Sequence, residues 1–202
     1  PRPPNPSGGR LTAIPHTAPQ SQDVLDLLMQ EHREVEALLD QISQPEQNPD
    51  SRDTADRVIA MLVKHSVAEE MYVYPVMEQY LPNGKQDVEH DKQEHQELEE
   101  LLKQLEGLAP EEDGFAQCVS KIQEVLNDHV HDEEDEQFPR LREAVPADTI
   151  VDLRGKVEMA EKVAPTRPHP EAPHSELFHK VVGPGVGMVD RLRDALSGRV
   201  TE

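Results

Sequence analysis

Apolar residues between positions 21 and 163 recur three and four positions apart, and no stretch alternates as a half-buried strand would. Prolines and glycines interrupt the pattern and end each run. The pattern predicts four long helices and a shorter fifth, at about residues 21–43, 51–80, 85–105, 111–144 and 147–163. Short connections favour antiparallel neighbours, so the predicted fold is all-α: an up-down-up-down antiparallel four-helix bundle with a short fifth helix and a C-terminal extension.

The two ends of the chain differ from this central part. Residues 1–20 are rich in proline and hold little that could pack, so we expect a disordered N-terminal arm. Residues 21–145 form the predicted bundle. Residues 146–202 are expected to hold the short helix, a proline-rich linker at 165–174, and a docked tail in which Leu177, Phe178 and later apolar residues form short helices.

The bundle sequence repeats itself. A shift of 63 positions lays the first helix on the third, and a shift of 64 lays the second on the fourth. Apolar positions coincide under both shifts, which predicts two helical hairpins related by a pseudo-twofold axis. The other coinciding residues are Glu31-His32 with Glu94-His95, His65 with His129, Glu69-Glu70 with Glu133-Glu134, and Tyr74-Pro75 with Phe138-Pro139.

Several of these polar residues fall on the core face of their helices. His32, His65 and His129 each follow apolar residues at the −7, −4 and −3 positions, which share one helix face. Glu69 and Glu133 lie about one turn further along the same face. A core-facing carboxylate is costly unless it is paired or bound to a cation. The sequence therefore predicts a polar layer inside the bundle.

The fourth histidine, His95, has a different context. Asp91 and Lys92 stand four and three residues before it, and its apolar stripe begins only at Leu98. His95 still faces inward by that stripe. Asp91 is interpreted either as an additional carboxylate near the site or as a solvated residue at a flared end of the bundle.

One histidine from each of four helices and two glutamates thus converge at one level. Imidazole and carboxylate together suit iron, manganese or zinc, and this set is large enough for two ions bridged by the two carboxylates. The predicted metal ligands are His32, His65, Glu69, His95, His129 and Glu133. The alternative is a metal-free core layer of His–Glu pairs.

Charge narrows the possible partners. With 41 acidic and 20 basic residues the formal net charge is −21, which attracts cations but opposes binding to nucleic acid or an anionic membrane surface. The longest apolar run, residues 58–63, is far too short to cross a bilayer. No secretory signal precedes the bundle, and Cys118 is the only cysteine, so a cytoplasmic location is expected.

The combined spacing of His32, His65-x-x-x-Glu69, Glu94-His95 and His129-x-x-x-Glu133 resembles the hemerythrin-like HHE cation-binding family, as found in bacteria. The resemblance covers about residues 22–144. It implies a non-haem di-iron centre, with two iron ions as cofactor and the six residues above as ligands. It further implies that the protein binds or reacts with oxygen, peroxide or nitric oxide.

Two departures from the oxygen-carrying members bear on function. Those proteins have HxxxH on the third helix, where this chain has Asp91, and HxxxxD on the fourth, where Glu133 and Glu134 are both available and the repeat favours Glu133. Fewer imidazoles leave more open coordination positions. Open positions favour a reaction with peroxide, nitric oxide or oxygen over reversible oxygen storage.

Three functions remain open at this level. The first is a di-iron protein with peroxidase-like, catalase-like or nitric-oxide-linked activity, for which the sequence assigns no catalytic residue beyond the ligands. The second is an iron, oxygen or redox sensor without turnover, in which the tail reports to a partner. The third is a metal-free acidic interaction protein. The roles of His90, Asp91, Glu70 and Glu134 also remain open.

Overall fold

The computed structural model describes residues 23–171 and 183–201, and the predicted N-terminal arm and Leu177 and Phe178 of the tail lie outside them. The helices are α1 Val24–Ile42, α2 Ser51–Ala68, α3 Tyr74–Tyr80, α4 Gly84–Gly107, α5 Asp113–His131, α6 Phe138–Ala144, α7 Ala147–Val163 and α8 Gly183–Ser197. Wider π-helical turns, Glu69–Val73 and Asp132–Gln137, join α2 to α3 and α5 to α6.

The all-α fold class is confirmed. α1 packs against α2, α4 packs against α5, and α7 lies across α1 and α2. A capping box opens α1, in which Asp23 and Asp26 exchange side chain-to-backbone hydrogen bonds. No described helix is long and apolar enough to cross a membrane.

The core consists of two apolar clusters separated by a polar layer. One cluster gathers residues such as Leu28, Met77 and Phe138, and the other gathers residues such as Leu39 and Phe115. Along each long helix the candidate ligands stand where one cluster gives way to the other. The antiparallel register of the bundle therefore brings all of them to one level.

Proline explains the wide turns. Pro75 and Pro139 are the second residues of α3 and α6. A proline has no N–H to donate and its ring clashes with the carbonyl four residues earlier, so a continuous α-helix is disfavoured there. A proline inside a helical pattern is expected to kink the helix or end it. The structure instead widens the helix at the glutamate itself, and the backbone N–H of Tyr74 donates to the carbonyl of Glu69, five residues back.

The C-terminal part packs back onto the bundle. The backbone N–H of His169 donates to Glu99 on α4, at 2.7 Å. Arg167 and Arg199 both form ion pairs with Glu106, and both reach Asp194 on α8. The described part of the proline-rich linker, residues 165–171, therefore runs along α4.

Two helical glycines, one in a crowded position and one in an open position, give a matched test of the helix packing. A Cβ at Gly84 would lie 2.1 Å from the Met77 carbonyl oxygen, whereas a Cβ at Gly155 on α7 would meet nothing within 4 Å. We expect Gly84→Ala to destabilise the protein by about 1–3 kcal/mol through overpacking. We expect Gly155→Ala to stabilise it by about 0.5–1 kcal/mol, because alanine loses less backbone entropy. Urea unfolding measures both, and equal unfolding midpoints for the two variants would contradict the packing described here.

Candidate metal centre

The structure brings all six predicted residues together in the polar layer. Each is buried, with at most 5% of its surface exposed. The four imidazoles turn their Nε2 atoms inward. His32 Nε2 lies 3.1 Å from His65 Nε2, and His95 Nε2 lies 3.3 Å from His129 Nε2. The imidazoles thus form two pairs, which we call the His32–His65 half and the His95–His129 half.

The two glutamates lie between these halves. Glu69 Oε2 is 3.3 Å from His65 Nε2 and 3.4 Å from His95 Nε2. Glu133 Oε2 is 3.4 Å from His32 Nε2 and 3.6 Å from His129 Nε2. Each carboxylate therefore lies beside one imidazole of each half, between the two pairs.

The donor set fits a cation. The four carboxylate oxygens of Glu69 and Glu133 are buried, and none accepts a hydrogen bond from a described residue. Burial raises the pKa of Glu69 to about 7. Burial and the facing Glu69 raise the pKa of Glu133. Orphaned buried carboxylates are costly, and a cation compensates that cost.

Among the described residues, four groups have ligand atoms close enough to share an ion. Two of them lie outside the predicted ligand set, namely His90, Glu94 and Asp132, and Asp91, Glu94 and His129; the other two contain only predicted ligands. In the first of these two groups, the ligand atoms of His32, His65, Glu69 and Glu133 lie within 4.8 Å of one another. In the second, those of Glu69, His95 and His129 do. The first group offers four donors and the second offers three. Burial also lowers the pKa of His32 and His65, which favours the neutral imidazole that a metal requires.

A second set of carboxylates holds the outer nitrogen of every imidazole. An imidazole whose Nδ1–H donates to a carboxylate presents the Nε2 lone pair to a metal, with its ring orientation fixed. The Nδ1-to-oxygen distances are 2.8 Å for His32 and Glu134, 2.9 Å for His65 and Glu31, 3.3 Å for His95 and Glu70, and 3.0 Å for His129 and Glu94.

This outer set obeys the pseudo-twofold. Glu134 and Glu70 hold the imidazoles of α1 and α4, while Glu31 and Glu94 hold those of the neighbouring α2 and α5. The sequence left Glu70 and Glu134 open and assigned no role to Glu31 or Glu94. Their repetition immediately before the histidine in both hairpins was the signal that could have identified them.

The other polar residues near the layer differ in their burial. Asp91 is fully buried, so it is not a solvated residue; its Oδ1 accepts a hydrogen bond from Gln137 Nε2 at 2.9 Å. His90 is exposed at the rim, near Glu94 and Asp132. His131 lies on the surface beside Asp135, because its position two residues after His129 places it off the ligand face.

Aromatic rings cover the two halves differently. Tyr74 stacks on His95, and its hydroxyl oxygen lies 3.1 Å from His95 Nε2. Its counterpart Phe138 stacks on His32 with ring centroids 6.3 Å apart. The two halves thus share their ligands but not their surroundings.

Helix α7 adds another carboxyl group to the His32–His65 half. Glu161 of α7 shares a hydrogen bond with Glu31, which in turn holds His65. A cavity of about 170 Å³ lies here, lined in part by Glu31, Lys64, His65 and Glu161. Burial raises the pKa of Glu31 to about 7 and that of Glu161 to about 8.

Residues 23–141 match the model of the hemerythrin HHE cation-binding domain. The chain belongs to this family. The predicted resemblance is therefore confirmed, and the family-level function of the bundle is the binding of metal cations. The polar layer described above lies inside the matched region.

Two curated relatives are similar to this hemerythrin-like chain. An uncharacterised hemerythrin-like protein of Schizosaccharomyces pombe is 28% identical over 174 residues, which cover 86% of each chain. A protein of Nostoc sp. named DNA nickase is 24% identical over 123 residues, which cover 61% of this chain but 34% of that protein. No solved structure matches.

The outer carboxylates should control metal affinity. We expect Glu94→Gln to weaken metal binding by about 10- to 100-fold, because an amide orients and polarises the His129 imidazole less well than a carboxylate. Competition with a chromogenic chelator measures this. Glu97→Gln, exposed on the same helix, is the control and should bind metal as the parent does. Equal affinity of both variants would show that Glu94 does not support the site.

The carboxyl pair at α7 predicts a pH dependence in metal-free protein. Raised pKa values mean that the folded state binds more protons than the unfolded state, whose carboxyls have an ordinary pKa of 4.5. The stability that this proton uptake contributes is therefore lost as pH rises from about 4.5 through about 8.

Glu161→Gln removes one titrating group and keeps a hydrogen-bond donor toward Glu31. We expect equal melting temperatures for variant and parent at pH 5 and a higher one for the variant at pH 9. Asp152→Asn, exposed on the same helix, should follow the parent at both. A variant–parent difference that does not grow with pH would refute the assignment.

Proposed function

We propose that this hemerythrin-like protein binds two iron ions and uses them to bind or react with a small oxidant or diatomic gas: oxygen, peroxide or nitric oxide. The observation that carries the proposal is the placement of four orphaned carboxylate oxygens, on Glu69 and Glu133, among four inward-facing imidazole nitrogens. His32 and His65 would hold one ion, and His95 and His129 the other.

Iron is favoured by family rather than by geometry. Imidazole and carboxylate ligands accept iron, manganese and zinc alike. The hemerythrin family model and the hemerythrin-like relative are what direct the choice to iron. When bound, two iron ions supply redox centres that exchange electrons with a small molecule.

The protein's own residues prepare the site for such chemistry. The outer glutamates keep each imidazole oriented, and the apolar clusters on either side keep bulk water out of the layer. Two imidazoles and the two carboxylates between the halves offer each position four donors, fewer than the six that iron often takes, so coordination positions would remain for an external ligand. An open site supports reaction over simple storage.

A sensor without turnover is the second candidate, and a specific contact favours it. Glu161 of α7 contacts Glu31, and Glu31 holds His65. A change at the site would therefore reach α7 directly. α7 in turn packs against α8. Metal or ligand binding could then be reported through the C-terminal part.

The similarity to the Nostoc protein covers about a third of that protein's length, and a net charge of −21 opposes binding to a phosphate backbone. A reducing compartment such as the cytoplasm is our expectation for location, supported by the single cysteine.

Metal content and turnover test the proposal. Protein produced with ample iron should hold two iron ions per chain and should bind or consume peroxide, oxygen or nitric oxide. We expect His129→Ala to lose metal and this reactivity together. His131→Ala, two residues away on the surface, should retain both.

The outcomes separate the candidates. Iron-loaded protein that reacts with none of the three molecules, but protects residues 183–201 from proteolysis only when loaded, would favour the sensor. A parent protein that takes up no metal would refute the proposal and favour a metal-free polar layer.

A further inference from the structure

The pseudo-twofold is broken at three neighbouring positions. The shifts that superpose the ligands also lay Asp91 on Leu28, Gln137 on Val73, and Tyr74 on Phe138. Leu28, Val73 and Phe138 are buried members of one apolar cluster. The His95–His129 half therefore has polar residues where the His32–His65 half has apolar ones.

These polar residues are buried without full hydrogen bonding. Asp91 and Gln137 bond to each other, but Asp91 Oδ2 and Gln137 Oε1 are buried and receive no hydrogen bond from the described residues. Leaving such atoms unpaired costs free energy. Because the other half is built without them, the fold does not require this cost.

Their position connects them to the candidate metal centre. A carboxylate oxygen of Asp91, one of Glu94 and a ring nitrogen of His129 lie within 4.8 Å of one another, so Asp91 lies beside the His129 imidazole and the carboxylate that holds it. The Tyr74 hydroxyl lies 3.1 Å from His95 Nε2 and can donate to its lone pair. An ion bound at His95 would take that lone pair, so the hydroxyl would need another acceptor beside the ion.

These side chains, and not the number of ligands, distinguish the two halves. Each half offers two imidazoles, and Glu69 and Glu133 lie between the halves. Asp91 stands one turn before His95 on α4, and Gln137 follows α5, which carries His129. Together with Tyr74 they offer two acceptors and one donor to a small molecule.

We propose that the His95–His129 half is where the external ligand binds, and that Asp91, Gln137 and Tyr74 bind and position hydrogen peroxide there. Peroxide donates two hydrogen bonds and accepts others, which matches this set. Oxygen and nitric oxide have no hydrogen to donate and would leave both acceptors unpaired. The inference rests on the proposed function and selects one of its three ligands.

The twofold itself supplies the test variants. Asp91→Leu, Gln137→Val and Tyr74→Phe each install the residue found at the equivalent position, which already packs in the other half. Asp91→Asn keeps the shape should Asp91→Leu fold poorly. Leu28→Met, a volume-conserving change in the His32–His65 half, is the control.

The measurements on iron-loaded protein are iron per chain, the KM and kcat for peroxide removal, and the affinity for nitric oxide. We expect the parent's iron content in all variants. The KM for peroxide should rise about tenfold for each of Asp91→Leu and Gln137→Val, the effect of one lost hydrogen bond to a bound ligand. Nitric oxide affinity and the Leu28→Met control should change by less than about threefold, a difference of under 1 kcal/mol.

Stability gives a readout independent of activity. In metal-free protein, the double variant Asp91→Leu/Gln137→Val should unfold at a higher urea concentration than the parent, because two unpaired polar groups are removed. Lower stability would show that the pair serves the fold, and would overturn the proposal.

The remaining outcomes are distinct. Loss of one iron ion in Asp91→Leu would make Asp91 a metal ligand and overturn its role toward peroxide. Unchanged KM values at full iron content, or loaded protein that binds nitric oxide but removes no peroxide, would overturn this inference and leave the proposed function standing. A parent protein without metal would overturn both.

Discussion

The burial of two carboxylates without hydrogen bonds is the constraint on which the rest of the structure depends. Glu69 and Glu133 lie in a layer between two apolar clusters, where water cannot solvate them. Four imidazoles must therefore arrive at the same level, which fixes the register of the four long helices. A bound cation would convert this cost into stabilisation of the folded chain, because the unfolded chain has no such preformed site.

The wide helical turns and the prolines belong to the same arrangement. Each turn closes on the carbonyl of a buried glutamate of the polar layer, with Tyr74 N–H donating to Glu69 and Phe138 N–H donating to Glu133. π-Helical turns are frequent at functional sites because one extra residue re-aims the side chains that follow. Here the re-aimed residues are Tyr74 and Phe138, whose rings cover His95 and His32.

Periodicity and the internal repeat predicted the helices and the six converging residues, because both depend on spacing within one helix. They did not predict Glu31 and Glu94. These residues lie beside the core stripe, and only the rotation of neighbouring helices brings them onto His65 and His129. Asp91 was ambiguous for a similar reason, since Lys92 suggested solvent and Gln137 of another element buries it. Proline indicated a lost hydrogen bond but not where the helix widens.

A duplicated hairpin would by itself give two equivalent halves. Two equivalent halves would not direct a single external molecule to one of them. The structure departs from this equivalence in two ways that agree. α7 packs on α1 and α2 and so covers the hairpin that carries His32 and His65. Leu28, Val73 and Phe138 line that half with apolar groups. The hairpin of α4 and α5 is contacted instead by residues 167–170, with Arg167 joining Glu106 to Asp194 of α8, and it holds Asp91 and Gln137. The symmetric features are those that would hold a cation, and the asymmetric ones are those that would select what meets it.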